Sequence, residues 1–328
     1  MRAPRLLTLL LVALIAAGCA WQAPEPPAAP EPATKTAPKP PPAPPHAMPT
    51  EATTASLAPD HATIRYRVYG QGQPAIVLVH GWSCDSGYWD SQLDALAVAH
   101  TVVTLDLAGH GKSTTGGRKD WSMENFGADV AAVVQAVGAQ HAVLVGHSMG
   151  GPVVLEAARR LPGRVLGIVG VDTFGDIAHP YPKEMTAPIL KAMRRDFAKA
   201  TADFADKSFF TEHTDPVVRQ WIVKDMASAP PKVAIPALEH LLALDYGPVL
   251  ADLDVPIVAI NAADSPTDEA AIRRLEPRFR VVPMDGVGHF LMMEKPALFN
   301  AMLLRIVGAW PLPAEKSAAP LSAPAPSR

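Results

Sequence analysis

The 328-residue sequence predicts an α/β fold, a mostly parallel central sheet with helices on both faces. Three observations predict it. Short apolar runs rich in valine and isoleucine alternate with longer amphipathic runs, and several of the short ones, such as Ala75–Val79 and Ala142–Val145, carry no polar residue at all. Strands covered on both faces read this way, and alternation with helices demands a parallel sheet. The third observation is the stretch Val143-Leu-Val-Gly-His-Ser-Met-Gly-Gly151, where an apolar strand stops at Gly146 and a helical run, Pro152 to Arg160, begins just beyond. The intervening Gly146-His147-Ser148-Met149-Gly150 fits G-x-S-x-G. Such a turn is too tight for side chains at its glycines, and it lifts the serine hydroxyl above the sheet edge, in front of a helix N-terminus that favours negative charge.

In chain order, Thr63–Tyr69 alternates and reads as a half-exposed first strand, ended by Gly70-Gln71-Gly72. Ala75–Val79 follows and runs into His80-Gly81-Trp82; then come a helix near Tyr88–Val98 and a strand at Thr101–Leu105. Asp106-Leu-Ala-Gly-His-Gly-Lys-Ser113 is a Gly-rich loop at that strand's carboxyl end. Met123–Val137 reads as a helix, Ala142–Val145 as the strand before the serine, and Val165–Val171 as the next strand. After Asp172 the rhythm breaks. Residues 174–250 hold helix-like runs and no clear buried strand, and are expected to form a helical lid over the carboxyl edge of the sheet. Its aromatics, among them Phe197, Phe204, Phe209, Phe210 and Trp221, are expected in the lid core. The rhythm resumes at Val255–Ile260, then a helix near Thr267–Leu275, a strand at Phe279–Val282 and a last helix, Pro296–Val307.

The ends read differently. Residues 1–18 have a basic start (Arg2, Arg5) and an apolar run from Leu6 to Ala17, the pattern of a secretory signal and too short to span a bilayer comfortably. Ala16-Ala17-Gly18-Cys19 resembles a bacterial lipobox, which implies lipidation at Cys19, export, and a lipid anchor in the cell envelope; the alternative is an ordinary signal peptide with a chance cysteine, which would leave the protein periplasmic or secreted. The residue after the cysteine is Ala20, which favours the outer membrane as the address. Between Gln22 and Thr50 there are 12 prolines, so residues 19–56 are expected to form an extended tether, and the Pro/Ala-rich tail 311–328 to be disordered. Residues 57–310 remain as one domain large enough for a full core. The net charge of −3, from 29 Lys+Arg against 32 Asp+Glu, shows no basic block and argues against a nucleic-acid partner. With Cys19 lipidated, Cys84 has no partner for an intrachain disulfide. No histidine, cysteine or carboxylate pair has metal-ligand spacing, so neither metal nor cofactor is expected.

His80-Gly81-Trp82, Asp106-x-x-Gly-x-Gly-x-Ser113, Gly146-His-Ser-Met-Gly-Gly151 and Gly286-Val-Gly-His289, in that order and each after a strand, resemble the α/β-hydrolase-fold serine hydrolases over about residues 60–310. The resemblance implies a small ester-like substrate, an acyl-enzyme intermediate, and an order of nucleophile, acid, histidine. A serine hydroxyl needs an adjacent base that is itself oriented by a carboxylate. Ser148 is the expected nucleophile and His289 the expected base. Asp264 is the expected acid, although Asn261-Ala-Ala lacks the usual glycine; Asp172, at the end of the strand before the lid, is the alternative. Backbone N–H groups of Met149, which follows the nucleophile, and of Trp82, where the resemblance points, would hold the oxyanion. His80, His110 and His147 are expected to serve loop geometry and packing, and Cys84 to be packed. Expected activity is hydrolysis of a carboxylic ester with a small to medium apolar group; the alternatives are a lactonase, C–C hydrolase or perhydrolase with the same triad, or a non-catalytic ligand binder.

Overall fold

A computed structural model describes residues 49–175, 181–265 and 267–313 of the chain. The signal, Cys19 and nearly all of the tether and tail lie outside these residues. Eight strands form one sheet in the order β1-β2-β4-β3-β5-β6-β7-β8: β1 Thr50–Ala55, β2 Thr63–Tyr69, β3 Ala75–Val79, β4 Val102–Leu105, β5 Ala142–His147, β6 Val165–Val171, β7 Ile257–Ala262 and β8 Arg280–Met284. β1 and β2 are antiparallel to each other, and β2 is antiparallel to β4. Every pairing from β4 through β3 to β8 is parallel. The expected mostly parallel sheet is therefore what forms, with β3 and β5 buried along their whole length between helical layers.

β1 departs from the reading of residues 19–56 as a tether. Thr50–Ala55 pairs in register with β2, Thr50 opposite Val68 and Ala55 opposite Thr63. It is an edge strand that is largely exposed, so no apolar run marks it in sequence. Helix Met123–Ala136 starts at Ser122, whose hydroxyl accepts the Asn125 N–H, and packs against helix Gly150–Arg159. The packing is close because a Cβ on Gly127 would overlap Glu156.

Between β6 and β7 the chain leaves the sheet for five helices, Lys183–Arg195, Phe197–Ser208, Pro216–Ala227, Pro231–Leu242 and Gly247–Ala251. The first two run together in sequence and are divided at Asp196, whose side chain caps the second by accepting the Lys199 N–H. Asp215 caps Pro216–Ala227 in the same way, accepting from Val217 and Val218. Among the described residues no helix is long and apolar enough to cross a membrane.

The loop after β4 is held by two carboxylates. Asp106 accepts the N–H groups of Ser86 and Lys112, 2.9 Å each. Burial pushes this carboxyl up, but the hydrogen bonds from Ser86 and Lys112 outweigh it and hold it below its ordinary value. Asp129, fully buried, takes a forked pair of bonds from Arg118 at 2.7 and 2.8 Å. His80 and His110 sit beside this loop with ring centroids 5.1 Å apart. Burial, joined by the neighbouring His80, pushes His110 from its ordinary 6.5 down to about 3. Between those values an unfolded imidazole is protonated and the folded one is not, so the unfolded state binds more protons and stability falls as pH falls. Urea unfolding at pH 7 and pH 5 is expected to show this loss, and His110→Asn should reduce the slope by up to about 1 kcal/mol per pH unit. An unchanged slope would mean that His110 is not held neutral.

Candidate active site

Ser148 stands at the apex of the turn between β5 and helix Gly150–Arg159 with φ at 51°, a left-handed conformation that costs a side-chain-bearing residue about 1–3 kcal/mol. The glycines explain how the turn closes. A Cβ on Gly146 would overlap the carbonyl of Gly150, and one on Gly150 would lie 2.6 Å from the carbonyl oxygen of Val79. The strained serine thus sits between its own helix and the end of β3.

His289 follows β8 and lines the same cavity as Ser148. Its Nδ1 donates to Oδ2 of Asp172 at 2.6 Å, which leaves Nε2 of the neutral ring as the proton acceptor. The carboxylate stands where the chain leaves the sheet for the lid: Asp172 directly follows β6 with φ at 44°. Its other oxygen accepts the Ala262 N–H at 2.9 Å, and its own N–H donates to the Ile260 carbonyl. Asp172 and His289 are 8% and 16% exposed, so the pair is shielded from water.

Asp264, expected as the orienting acid, is not the partner of His289. β7 continues to Ala262 and spends that residue's N–H on Asp172, so Asp264 falls beyond the strand, exposed at the cavity. The atypical Asn261 has its own task. Its side chain accepts the Thr173 N–H at 3.2 Å and donates to the Thr173 carbonyl at 2.9 Å and to Thr267 at 2.8 Å. It pins the turn that carries Asp172, a role that no sequence pattern marked.

Trp82 lies in the turn after β3 and Met149 directly after Ser148. Among the described residues neither backbone N–H donates to another protein group, and both residues line the cavity. The Trp82 indole is anchored separately, donating to the Ala234 carbonyl in the lid at 2.7 Å. His80 fixes this turn: Nδ1 donates to the Gly81 carbonyl at 2.8 Å and Nε2 accepts the Leu107 N–H at 3.0 Å. Burial pushes its basicity down. His147 Nε2 donates to the His289 carbonyl at 2.9 Å; burial, reinforced by neighbouring His289, holds His147 well below the ordinary range, so it stays neutral. Cys84 is buried, its thiol donating to the Trp82 carbonyl at 3.2 Å, and burial pushes the thiol well up, away from the reactive thiolate.

The cavity holds about 430 Å³ and is walled largely by lid residues, including Phe204, Phe210, Met226, Leu238 and Tyr246. Asp172 and Asp264 are its carboxylates, and its described lining contains neither lysine nor arginine. Among the described residues no group of three histidine, cysteine or carboxylate side chains is placed to hold a metal ion.

Residues 74–296 match the protein family described as alpha/beta hydrolase fold. The chain is 27% identical, over 251 residues, to the pimeloyl-(acyl-carrier protein) methyl ester esterase of Yersinia enterocolitica, covering 73% of this chain and 95% of the relative. It is also 27% identical to a non-heme haloperoxidase of Rhodococcus erythropolis, over 272 residues that make up 76% of this chain and 97% of that one. Among solved structures it resembles a thermophilic esterase from Thermogutta terrifontis, with a TM-score of 0.68 and 27% identity, covering 79% of this chain and 99% of the esterase.

Proposed function

The chain belongs to the alpha/beta hydrolase fold family, and from that premise we propose that it is a serine hydrolase that cleaves a carboxylic ester through an acyl-enzyme. The observation that carries this reading is the 2.6 Å bond from His289 to Asp172, on the wall of the cavity that also holds the strained Ser148. In the first half-reaction Ser148 Oγ attacks the ester carbonyl carbon while His289 Nε2 takes its proton. The imidazolium is stabilised by Asp172 through Nδ1, and the oxyanion by the N–H groups of Trp82 and Met149. Collapse breaks the bond to the alcohol oxygen, which leaves with the proton from Nε2. A water then repeats the sequence against the acyl-enzyme and releases the acid.

The wall chemistry supports an uncharged, apolar acyl or alcohol group of small to medium size. Burying a substrate carboxylate here would leave it with no cationic side chain and with Asp264 nearby, a costly arrangement. We also propose, from the lipobox-like residues alone, that Cys19 is lipidated. Membrane fractionation of wild type and Cys19→Ser tests this: the wild type should need detergent for release and the variant should not, and identical fractionation would refute it.

Three variants test the assignment with esters of graded chain length and a fluorophosphonate probe. Ser148→Ala should neither label nor turn over. Asp172→Asn should lower kcat/KM by roughly 10²–10⁴, because asparagine offers the wrong partner to Nδ1–H, whereas Asp264→Asn should cost less than about tenfold. A crippled Asp264 variant beside a near-normal Asp172 variant would overturn the choice of acid. Failure of the wild type to label or to cleave any ester would overturn the serine-hydrolase reading itself.

A further inference from the structure

The lid does more than wall the cavity. Helix Phe197–Ser208 ends at Phe209, whose N–H donates to the Ala205 carbonyl and whose ring is braced edge-on by Phe204 at 5.1 Å. That braced ring lies on the His289 imidazole, with centroids 4.4 Å apart and planes only 20° from parallel. The backbone makes the same connection: His289 N–H donates to the Phe209 carbonyl at 2.8 Å. Gly288 is required for this approach, since a Cβ there would overlap the same carbonyl oxygen. Next to it a carboxylate joins the two segments again. Glu294 accepts the Gly288 N–H at 3.0 and 3.1 Å and the Thr214 hydroxyl at 2.7 Å, and Thr214 in turn accepts the Thr211 N–H at 3.1 Å. The histidine loop therefore hangs on the lid through one stacked ring, one backbone bond and one bridging carboxylate.

We propose that Phe209 is a positioning residue for His289, and that the lid segment from Phe209 to Thr214 sets the imidazole's orientation towards Ser148. The proposal rests on the serine-hydrolase reading above. Asp172 holds Nδ1, but one hydrogen bond tolerates rocking of the ring plane, and the neighbouring His147 and Phe290 rings meet the imidazole at 50° and 82° rather than flat. A flat ring stacked on the imidazole removes this freedom, and Nε2 must be aimed closely because misplacement by about 1 Å can cost on the order of 10² in rate. Phe210, the next residue, supplies the contrast. It also lines the cavity but stacks on Phe290, at 6.1 Å, rather than on the histidine.

The test uses the full chain, an activated acyl ester and thermal unfolding, on Phe209→Leu, Phe209→Tyr, Phe210→Leu and Thr214→Val. Phe209→Leu is expected to lower kcat and the rate of fluorophosphonate labelling by about 10–100-fold, with KM moved less than about threefold. Phe209→Tyr keeps the ring and should restore kcat to within about threefold. Phe210→Leu should act mainly on KM. Thr214→Val, away from the cavity, should lower kcat by about 3–10-fold with KM unchanged, and it decides the matter if Phe209→Leu fails to fold. Matching kinetic signatures for Phe209→Leu and Phe210→Leu, or a tyrosine variant as weak as the leucine one, would make Phe209 ordinary cavity wall and overturn the proposal. So would a Thr214→Val enzyme with unaltered kcat. An inactive, unlabelled wild type would remove the serine-hydrolase reading and the proposal together, whereas an active wild type with an insensitive Phe209→Leu removes the proposal alone.

Discussion

The hydrogen bond from His289 Nδ1 to Asp172 is the interaction on which the rest of the site depends. It selects one tautomer and one carboxylate, and three separate parts of the chain have to be in register for it to form. β6 must end in the left-handed turn at Asp172. β7 must extend far enough for Ala262 to donate to the second carboxylate oxygen. The loop after β8 must bring His289 back over the sheet edge, where His147 takes hold of its carbonyl. A carboxylate anchored through one oxygen can hold an imidazole with the other without wandering, and its burial keeps the interaction from being screened by water.

The neutral histidines around this pair follow from the same demand for order without stray charge. His80 and His147 each use an N–H to hold a backbone carbonyl, Gly81 and His289 respectively. Charging His147 would place a cation directly against the His289 ring, whose centroid lies 4.7 Å away. Burial prevents this, at a cost in acid stability. The cavity obeys a similar economy of charge. Its wall comes from lid helices whose apolar sides face inward, while the polar side chains Ser148, His289 and Asp172 gather at the sheet edge.

The sheet was legible because its central strands are buried on both faces and so carry uninterrupted apolar runs. Ser148 and His289 were legible because tight turns at 146, 150 and 288 demand glycine, and glycine is visible in sequence. The acid was not. Asp172 and Asp264 both follow neighbouring parallel strands and approach the same edge, so topology alone admits either. The choice turns on where β7 ends and on Asn261 reaching across to Thr173, a contact 88 residues apart in sequence. β1 was missed for a related reason: its stability comes from pairing with β2, not from burial, and Thr-Glu-Ala-Thr-Thr-Ala has no apolar face to announce it. Phe209 was read as lid core, since the ring that stacks on His289 is indistinguishable in sequence from one that packs on another phenylalanine.

Proton NMR of the exchangeable imidazole proton tests the central pairing most directly. A histidine Nδ1–H held by a buried carboxylate gives a resonance far downfield of the amide region. It should be present in the wild type and in Asp264→Ala, and absent from a folded Asp172→Ala protein. A downfield resonance that survives in Asp172→Ala and disappears in Asp264→Ala would contradict the pairing of His289 with Asp172.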